Sequence, residues 1–223
     1  MSYGEGMRIT HLGHATVLVE AGDVRILIDP GNLTGAWHTL TGLDAVLVTH
    51  IHPDHLDPGP LQALLAANPE AAFYGEPTIP DAVAEELPDI TSRNALPAGD
   101  TVTVGPVSIE AVGGQHAEIH RDIPLIGNIG LVLRAEGEPT LFHPGDSLAT
   151  VPSGVDILAV PAYGPWAALK ETIDFTRAVG ASHGFPIHDE LLNDRGRALI
   201  FGRLEAMTGT GMVDLRGGTP HQF

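Results

Sequence analysis

Apolar positions along the chain fall mostly into alternating or continuous runs, with helical spacing appearing only between them. Arg8 to Glu20 and Val24 to Ile28 read as a strand pair that turns at Ala21-Gly22-Asp23. Leu43 to Val48 is almost wholly apolar, as a strand covered on both faces must be. Asp57 then offers a helix N-cap and Pro58 a first-turn proline. Leu61, Leu64 and Leu65 form one apolar helix face, which stops at Asn68-Pro69. Ala71 to Tyr74 predicts a short strand and Pro80 to Leu87 a short helix, while Thr101 to Val104 and Val107 to Val112 flank Gly105-Pro106 as a hairpin.

The second half repeats this logic in another order. Ile129 to Ala135 and Thr140 to Phe142 surround a Glu136-Gly137-Glu138-Pro139 turn, and Val155 to Val160 is again a buried strand. Pro165 to Val179 has helical spacing, with Trp166, Leu169, Ile173, Phe175 and Thr176 on one side and Lys170, Glu171, Asp174 and Arg177 elsewhere. Ala181 to Ile187 leads into His188, Glu190 to Met207 predicts the last long helix, and Met212 to Leu215 a final strand. Strands followed by helices in both halves predict an α/β fold with two sheets. No linker is long or polar enough to divide residues 1–223, so one domain is expected. Gly31 to Thr41 reads as a loop in which Trp37 and His38 are exposed or line something.

Composition narrows the chemistry. The 223 residues contain no cysteine, which removes disulfides, thiolate metal sites and a cysteine nucleophile together. Twenty-eight acids against eleven bases give a formal charge of −17, and Lys170 is the only lysine. Such a surface repels phosphate backbones, so no nucleic-acid partner is expected. Met1 to Gly6 lacks the basic start and apolar core of a signal peptide, and no apolar run reaches membrane-spanning length. The expectation is a cytoplasmic protein with a small-molecule substrate and no membrane insertion; the sequence is also compatible with a homo-oligomer.

One stretch carries the candidate chemistry. Thr49-His50-Ile51-His52-Pro53-Asp54-His55-Leu56-Asp57 places three imidazoles and a carboxylate within six positions, between the buried strand and the first helix. His50 and His52 can reach the same side of an extended segment, while Asp54 and His55 can face a second point nearby. Imidazole nitrogens with a carboxylate suit zinc, and also iron or manganese, better than calcium or magnesium.

The His50-x-His52-x-Asp54-His55 pattern resembles the signature of the metallo-β-lactamase superfamily. His11-Leu12-Gly13-His14-Ala15-Thr16 leading to Leu27-Ile28-Asp29-Pro30 is similar to the opening of the branch holding the ascorbate-6-phosphate lactonases and the N-acyl-phosphatidylethanolamine phospholipases. His116 in Gly113-Gly114-Gln115-His116, Asp146 in His143-Pro144-Gly145-Asp146-Ser147 and His188 in Pro186-Ile187-His188-Asp189 match the family's later motifs in order. The resemblance implies a four-layer αββα sandwich. It implies one metal held by His50, His52 and His116, a second by Asp54, His55 and His188, and Asp146 between them. Two divalent ions, zinc first and manganese second, would then supply a bridging hydroxide that cleaves a lactone, phosphodiester or amide, with Asp54 and Asp146 in catalytic positions. A mononuclear iron enzyme oxidising sulfur compounds and a non-catalytic metal-binding protein are the alternatives; His55 and His188 count against the first.

The remaining histidines divide between roles. His14 is expected either near the site or hydrogen-bonded in the first hairpin, and His11, His38 and His221 in packing or surface positions. His120 and His143 are expected to support ligands or touch substrate. Asp29 is expected to be a buried carboxylate that orients the metal loop, and His183 has no functional reading. Asn32 to Thr41, Glu118 to Asn128 and Tyr163 to Trp166 are the irregular stretches expected to contact substrate.

Overall fold

A computed structural model describes residues 6–87 and 93–223. Its first sheet contains β1 (Arg8–Gly13), β2 (Thr16–Ala21), β3 (Val24–Ile28), β4 (Ala45–Val48), β5 (Ala72–Gly75) and β6 (Arg93–Ala95). A C-terminal strand, β14 (His221–Gln222), pairs with β1, giving the order β14-β1-β2-β3-β4-β5-β6. The second sheet runs β13-β12-β11-β10-β9-β8-β7, from β7 (Thr101–Val104), β8 (Val107–Gly113), β9 (Ile129–Arg134) and β10 (Leu141–His143) to β11 (Ile157–Pro161), β12 (His183–Ile187) and β13 (Gly211–Met212). Each sheet begins with antiparallel neighbours and continues through parallel ones.

Strand alternation builds the layers. Val17, Val19, Ile26, Ile28, Ala45 and Leu47 from the first sheet meet Ile109, Leu131, Leu133, Ile157 and Ala159 from the second in one buried core. The intervening residues face outward. Leu27, Val46 and Val48 pack with Leu61, Leu64 and Leu65 of α1 (Pro58–Ala67) and Ile79 of α2 (Ile79–Ala82). Val132, Leu158 and Val160 pack with Ile173 and Phe175 of α3 (Leu169–Val179) and Leu204 of α4 (Asp194–Thr208). The result is helix, sheet, sheet, helix: the αββα sandwich that the sequence led us to expect. Among the described residues, no helix is long and apolar enough to cross a membrane.

Several local expectations change. The first predicted strand is two strands, because the chain reverses at Gly13-His14-Ala15, where Gly13 and His14 both have positive φ. Trp37 is fully buried in the outer core, and its indole donates to the Gly31 carbonyl at 3.0 Å. The predicted helix at Pro165 begins at Leu169, since Gly164 and Ala167 pair as an isolated bridge before it. Its N–H at Ala168 is capped by the Glu171 carboxylate. The last helix begins at Asp194 rather than Glu190, with Asn193 accepting from the Gly196 N–H as its N-cap. The predicted helix from Pro80 holds regular geometry only over Ile79–Ala82, and the strand expected over Met212 to Leu215 is only Gly211–Met212.

Candidate metal centre

Strand ends deliver the chemistry. Asp29 follows β3, the Thr49 to Asp57 loop follows β4, and His116 lies just past β8. Asp146 comes soon after β10, His188 directly follows β12, and His14 occupies the turn between β1 and β2. For the parallel strands this is the carboxyl end, where open sheets expose loops to a common crevice. His14, Asp29 and His188, with φ of 51°, 48° and 57°, are the only non-glycine residues of positive φ among the described residues. Left-handed backbone at such residues costs roughly 1–3 kcal/mol each and persists where surrounding contacts over-determine it. All three lie at this site.

Asp29 organises the metal loop. Its Oδ1 accepts from the Thr49 N–H at 2.7 Å, and its Oδ2 accepts from the Thr49 hydroxyl at 2.8 Å and from His55 Nδ1 at 2.7 Å. Because the Thr49 proton goes to Asp29, the 3.0 Å contact between Thr49 Oγ1 and His50 Nδ1 is donated by the imidazole. His116 Nδ1 likewise donates to the Ala117 carbonyl at 2.6 Å. His50, His55 and His116 are thus each held by Nδ1 and leave Nε2 free. Those three Nε2 atoms are buried and have no hydrogen-bond partner.

The free atoms converge into two donor sets. His50, His52, His116 and Asp146 form one, and His14, Asp54, His55 and His188 the other; within each set the donor atoms lie no more than 4.8 Å apart. Asp146 reaches both. Its Oδ1 is 3.1 Å from His55 Nε2, and its Oδ2 is 3.1 Å from His188 Nε2 and 3.4 Å from His116 Nε2. These pairs are close without hydrogen-bond alignment, as groups aimed at a shared centre are. Buried imidazoles with free nitrogens around carboxylates fit a divalent metal well.

The sequence left His14 undecided; the structure brings it into the second set, fully buried, with Nε2 3.0 Å from Asp54 Oδ2. His143 is also fully buried, but its Nε2 donates to the Ala15 carbonyl at 3.0 Å and its Nδ1 lies 3.9 Å from Asp29, so it braces the first hairpin rather than touching substrate. His11 is tied to the His14 carbonyl at 2.7 Å. His120 is exposed and bonds locally to Asp122, and exposed His183 packs its ring beside Phe223. Asn128, at the end of a stretch expected to touch substrate, is buried instead and fixes the Asp146 loop: it accepts from the Asp146 N–H at 2.9 Å and donates to the Pro144 carbonyl at 3.0 Å. Gly31 allows the loops to close, since a Cβ there would sit 1.8 Å from the Asp54 carbonyl oxygen.

Trp166 caps this arrangement from the second half, its indole donating to Asp146 Oδ2 at 2.9 Å. Beside it opens a cavity of about 620 Å³, walled partly by His116, Ser147, Leu148 and Trp166. Glu171, Asp174 and Phe175 of α3 also line it, although the sequence reading gave that helix no part in the site. A second, much smaller pocket touches His52 and His116 together with Ile123 and Leu125, the last two from the Glu118 to Asn128 stretch expected to lie near substrate.

Electrostatics divide the ring nitrogens. Burial lowers His50 well below its ordinary value of 6.5 and also lowers His14, His52 and His143. Burial opposes charge on His55 and His188 too, but carboxylates outweigh it: Asp146 and Asp29 raise His55, and Asp146 and Asp54 push His188 up to about 9. Asp54 and Asp146 are held well below the usual carboxylate range, since their imidazole partners overcome the opposing effect of burial. Protons on His55 and His188 therefore compete with a metal ion for the same atoms.

Two outcomes follow for measurement. Asp29→Ala strips three hydrogen bonds from the metal loop, and is expected to destabilise the protein by about 3–5 kcal/mol and to weaken metal binding roughly 10–100-fold, read by calorimetry and by competition with a chromogenic chelator. Unchanged values would remove Asp29 from its organising place. In chelator-treated protein, the raised pKa of His188 gives stability that is complete below its ordinary 6.5 and lost as pH climbs through about 9. The lowered histidines act oppositely, adding stability above 6.5 and losing it as pH falls. Thermal melts should therefore peak between these limbs and decline toward pH 9; a midpoint still rising at pH 9 contradicts this balance.

Comparison with known proteins agrees with the geometry. A family model described as "Beta-lactamase superfamily domain" matches residues 8–188. Protein Rv0786c of Mycobacterium tuberculosis is 40% identical over 205 residues, covering 92% of this chain and 94% of its own. A UPF0173 metal-dependent hydrolase of Aeropyrum pernix is 30% identical over 160 residues, 65% of this chain and 63% of its own, so the match takes in just under two thirds of that relative. In structure, the metallo-beta-lactamase fold protein YhfI from Bacillus subtilis superposes with a TM-score of 0.75 at 18% identity, over 99% of this chain and 100% of that one. The sandwich, the ordered donor residues at the strand ends and a family match spanning most of the chain together make this protein a member of the metallo-β-lactamase superfamily.

Proposed function

We propose that this protein is a metal-dependent hydrolase with two divalent ions, zinc or manganese, that cleaves an ester-like bond in a small molecule. The observation that carries the reading is the pair of donor sets meeting at Asp146, with their buried nitrogens unpartnered. His50, His52, His116 and Asp146 would hold one ion, and Asp54, His55 and His188 the other, with His14 beside them. Bound there, the metals would supply an acidified water near neutral pH and polarise the scissile group.

The chain's own residues do the rest. Asp29, Thr49 and Asn128 fix the ligand loops before substrate arrives. Asp54 has the more exposed carboxylate of the two central acids, with 24% side-chain exposure against 3% for Asp146. It can receive or relay a proton at Oδ2, between His14 and His188. Trp166 and the adjoining apolar residues Leu148 and Val151 offer a surface against which the substrate's non-reacting end can rest. The acidic cavity favours a lactone, carboxylic ester or amide over a phosphodiester, whose charge it would repel. The −17 net charge suits an enzyme acting on small molecules rather than nucleic acid, and we place it in the cytoplasm.

A panel of lactones, esters, amides and phosphodiesters, assayed after chelation and after readdition of zinc or manganese, tests this reading. Hydrolysis should appear only with metal restored, and Asp54→Asn should lower kcat by about 100-fold or more. Metal-independent turnover, or full activity in Asp54→Asn, would contradict it.

A further inference from the structure

We infer that the cavity beside the metal centre selects substrates whose non-reacting end is apolar and positively charged, such as an alkylammonium group. The inference rests on the hydrolase reading for what happens at the metals, but its own basis is the cavity wall. Trp166, Val151 and Phe175 give that wall its apolar surface, while Glu118, Glu171 and Asp174 place three carboxylates around it. Among the described residues, no Lys or Arg lines it. Glu171 already caps the N-terminus of α3, whereas Glu118 and Asp174 are exposed carboxylates on the cavity wall.

A solvated acidic face would be the ordinary account of three carboxylates on a chain this negative. Two observations set this group apart. The carboxylates edge a cavity of about 620 Å³, ample for a small ligand. His116, whose side chain is only 2% exposed and whose Nε2 is unpartnered, is part of that cavity's wall, as is Trp166, which bonds Asp146, so the cavity adjoins the candidate metal centre. The Trp166 indole beside carboxylates is a surface on which an organic cation is favoured, by ring quadrupole and by charge, with Phe175, only 4% exposed, closing the wall behind. An anionic end, such as a phosphate, would meet only like charge there.

The test is calorimetric titration of the metal-loaded protein with hexyltrimethylammonium, 1-hexanol and hexane-1-sulfonate, three probes sharing one alkyl chain. The cation should bind about tenfold more tightly than the alcohol, with the sulfonate weakest, and the preference should shrink as salt rises. The Glu118→Gln/Asp174→Asn double variant should reduce that preference to about threefold or less. Val151→Lys changes the overall charge by one in seventeen but puts a cation in the cavity wall, and should abolish cation binding. Equal binding of cation and alcohol, tighter binding of the sulfonate, or cation binding that survives Val151→Lys would each overturn the inference. Because binding is read without turnover, a protein that prefers the cation yet hydrolyses nothing would remove the hydrolase reading and leave this one standing. Turnover without cation preference would do the reverse.

Discussion

Burying Asp29 commits the chain to most of what surrounds it. A carboxylate with no exposure where β3 ends must find donors, and it finds them in Thr49 and His55, across the neighbouring parallel strand. That choice fixes the start of the metal loop, sets which nitrogen of His55 carries a proton, and passes through the Thr49 hydroxyl to His50. His143, at the end of β10, lies 3.9 Å from the same carboxylate and so links the second sheet to the first. The donor sets are thus consequences of one buried charge being satisfied, a requirement that a mobile loop could not meet.

The two sheets make that arrangement repeatable on both sides of the site. Each supplies parallel strands whose carboxyl ends open toward one crevice, and each outer face is covered by its own helices. The common core between the sheets leaves little freedom for one half to slide on the other. Strained backbone at His14, Asp29 and His188 is tolerated because both sheets hold those residues in place; in return, their side chains point where regular strands would not send them.

How much of this was legible in the sequence depended on whether the signal was local. The metal loop, its buried strand and its helix are contiguous, so period and spacing suffice to place them. His116, Asp146 and His188 were picked out by their resemblance to the family's motifs, in order and after strands, and the structure gathers all three into the donor sets. His14 stayed between two readings, because Arg8 to Glu20 reads as one apolar alternation and the reversal inside it rests on left-handed backbone at a histidine, which propensity does not encode. Trp37 was misplaced because its burial depends on a carbonyl at Gly31 and on packing against α1, both tertiary. Strands β6 and β14 are three and two residues long and owe their pairing to neighbours rather than to their own sequence. Glu171 and Asp174 of α3 had no assigned role because only the folded structure shows a cavity in front of them.

The central claim is that two metal centres share Asp146, and the most direct measurement is metal content per chain by mass spectrometry. It should be made on untagged protein and on Asp146→Ala after equilibration with zinc or manganese. The account predicts about two equivalents in the native chain, and a clear loss from both centres in the variant, since one carboxylate reaches both donor sets. A single equivalent that Asp146→Ala leaves untouched would contradict it.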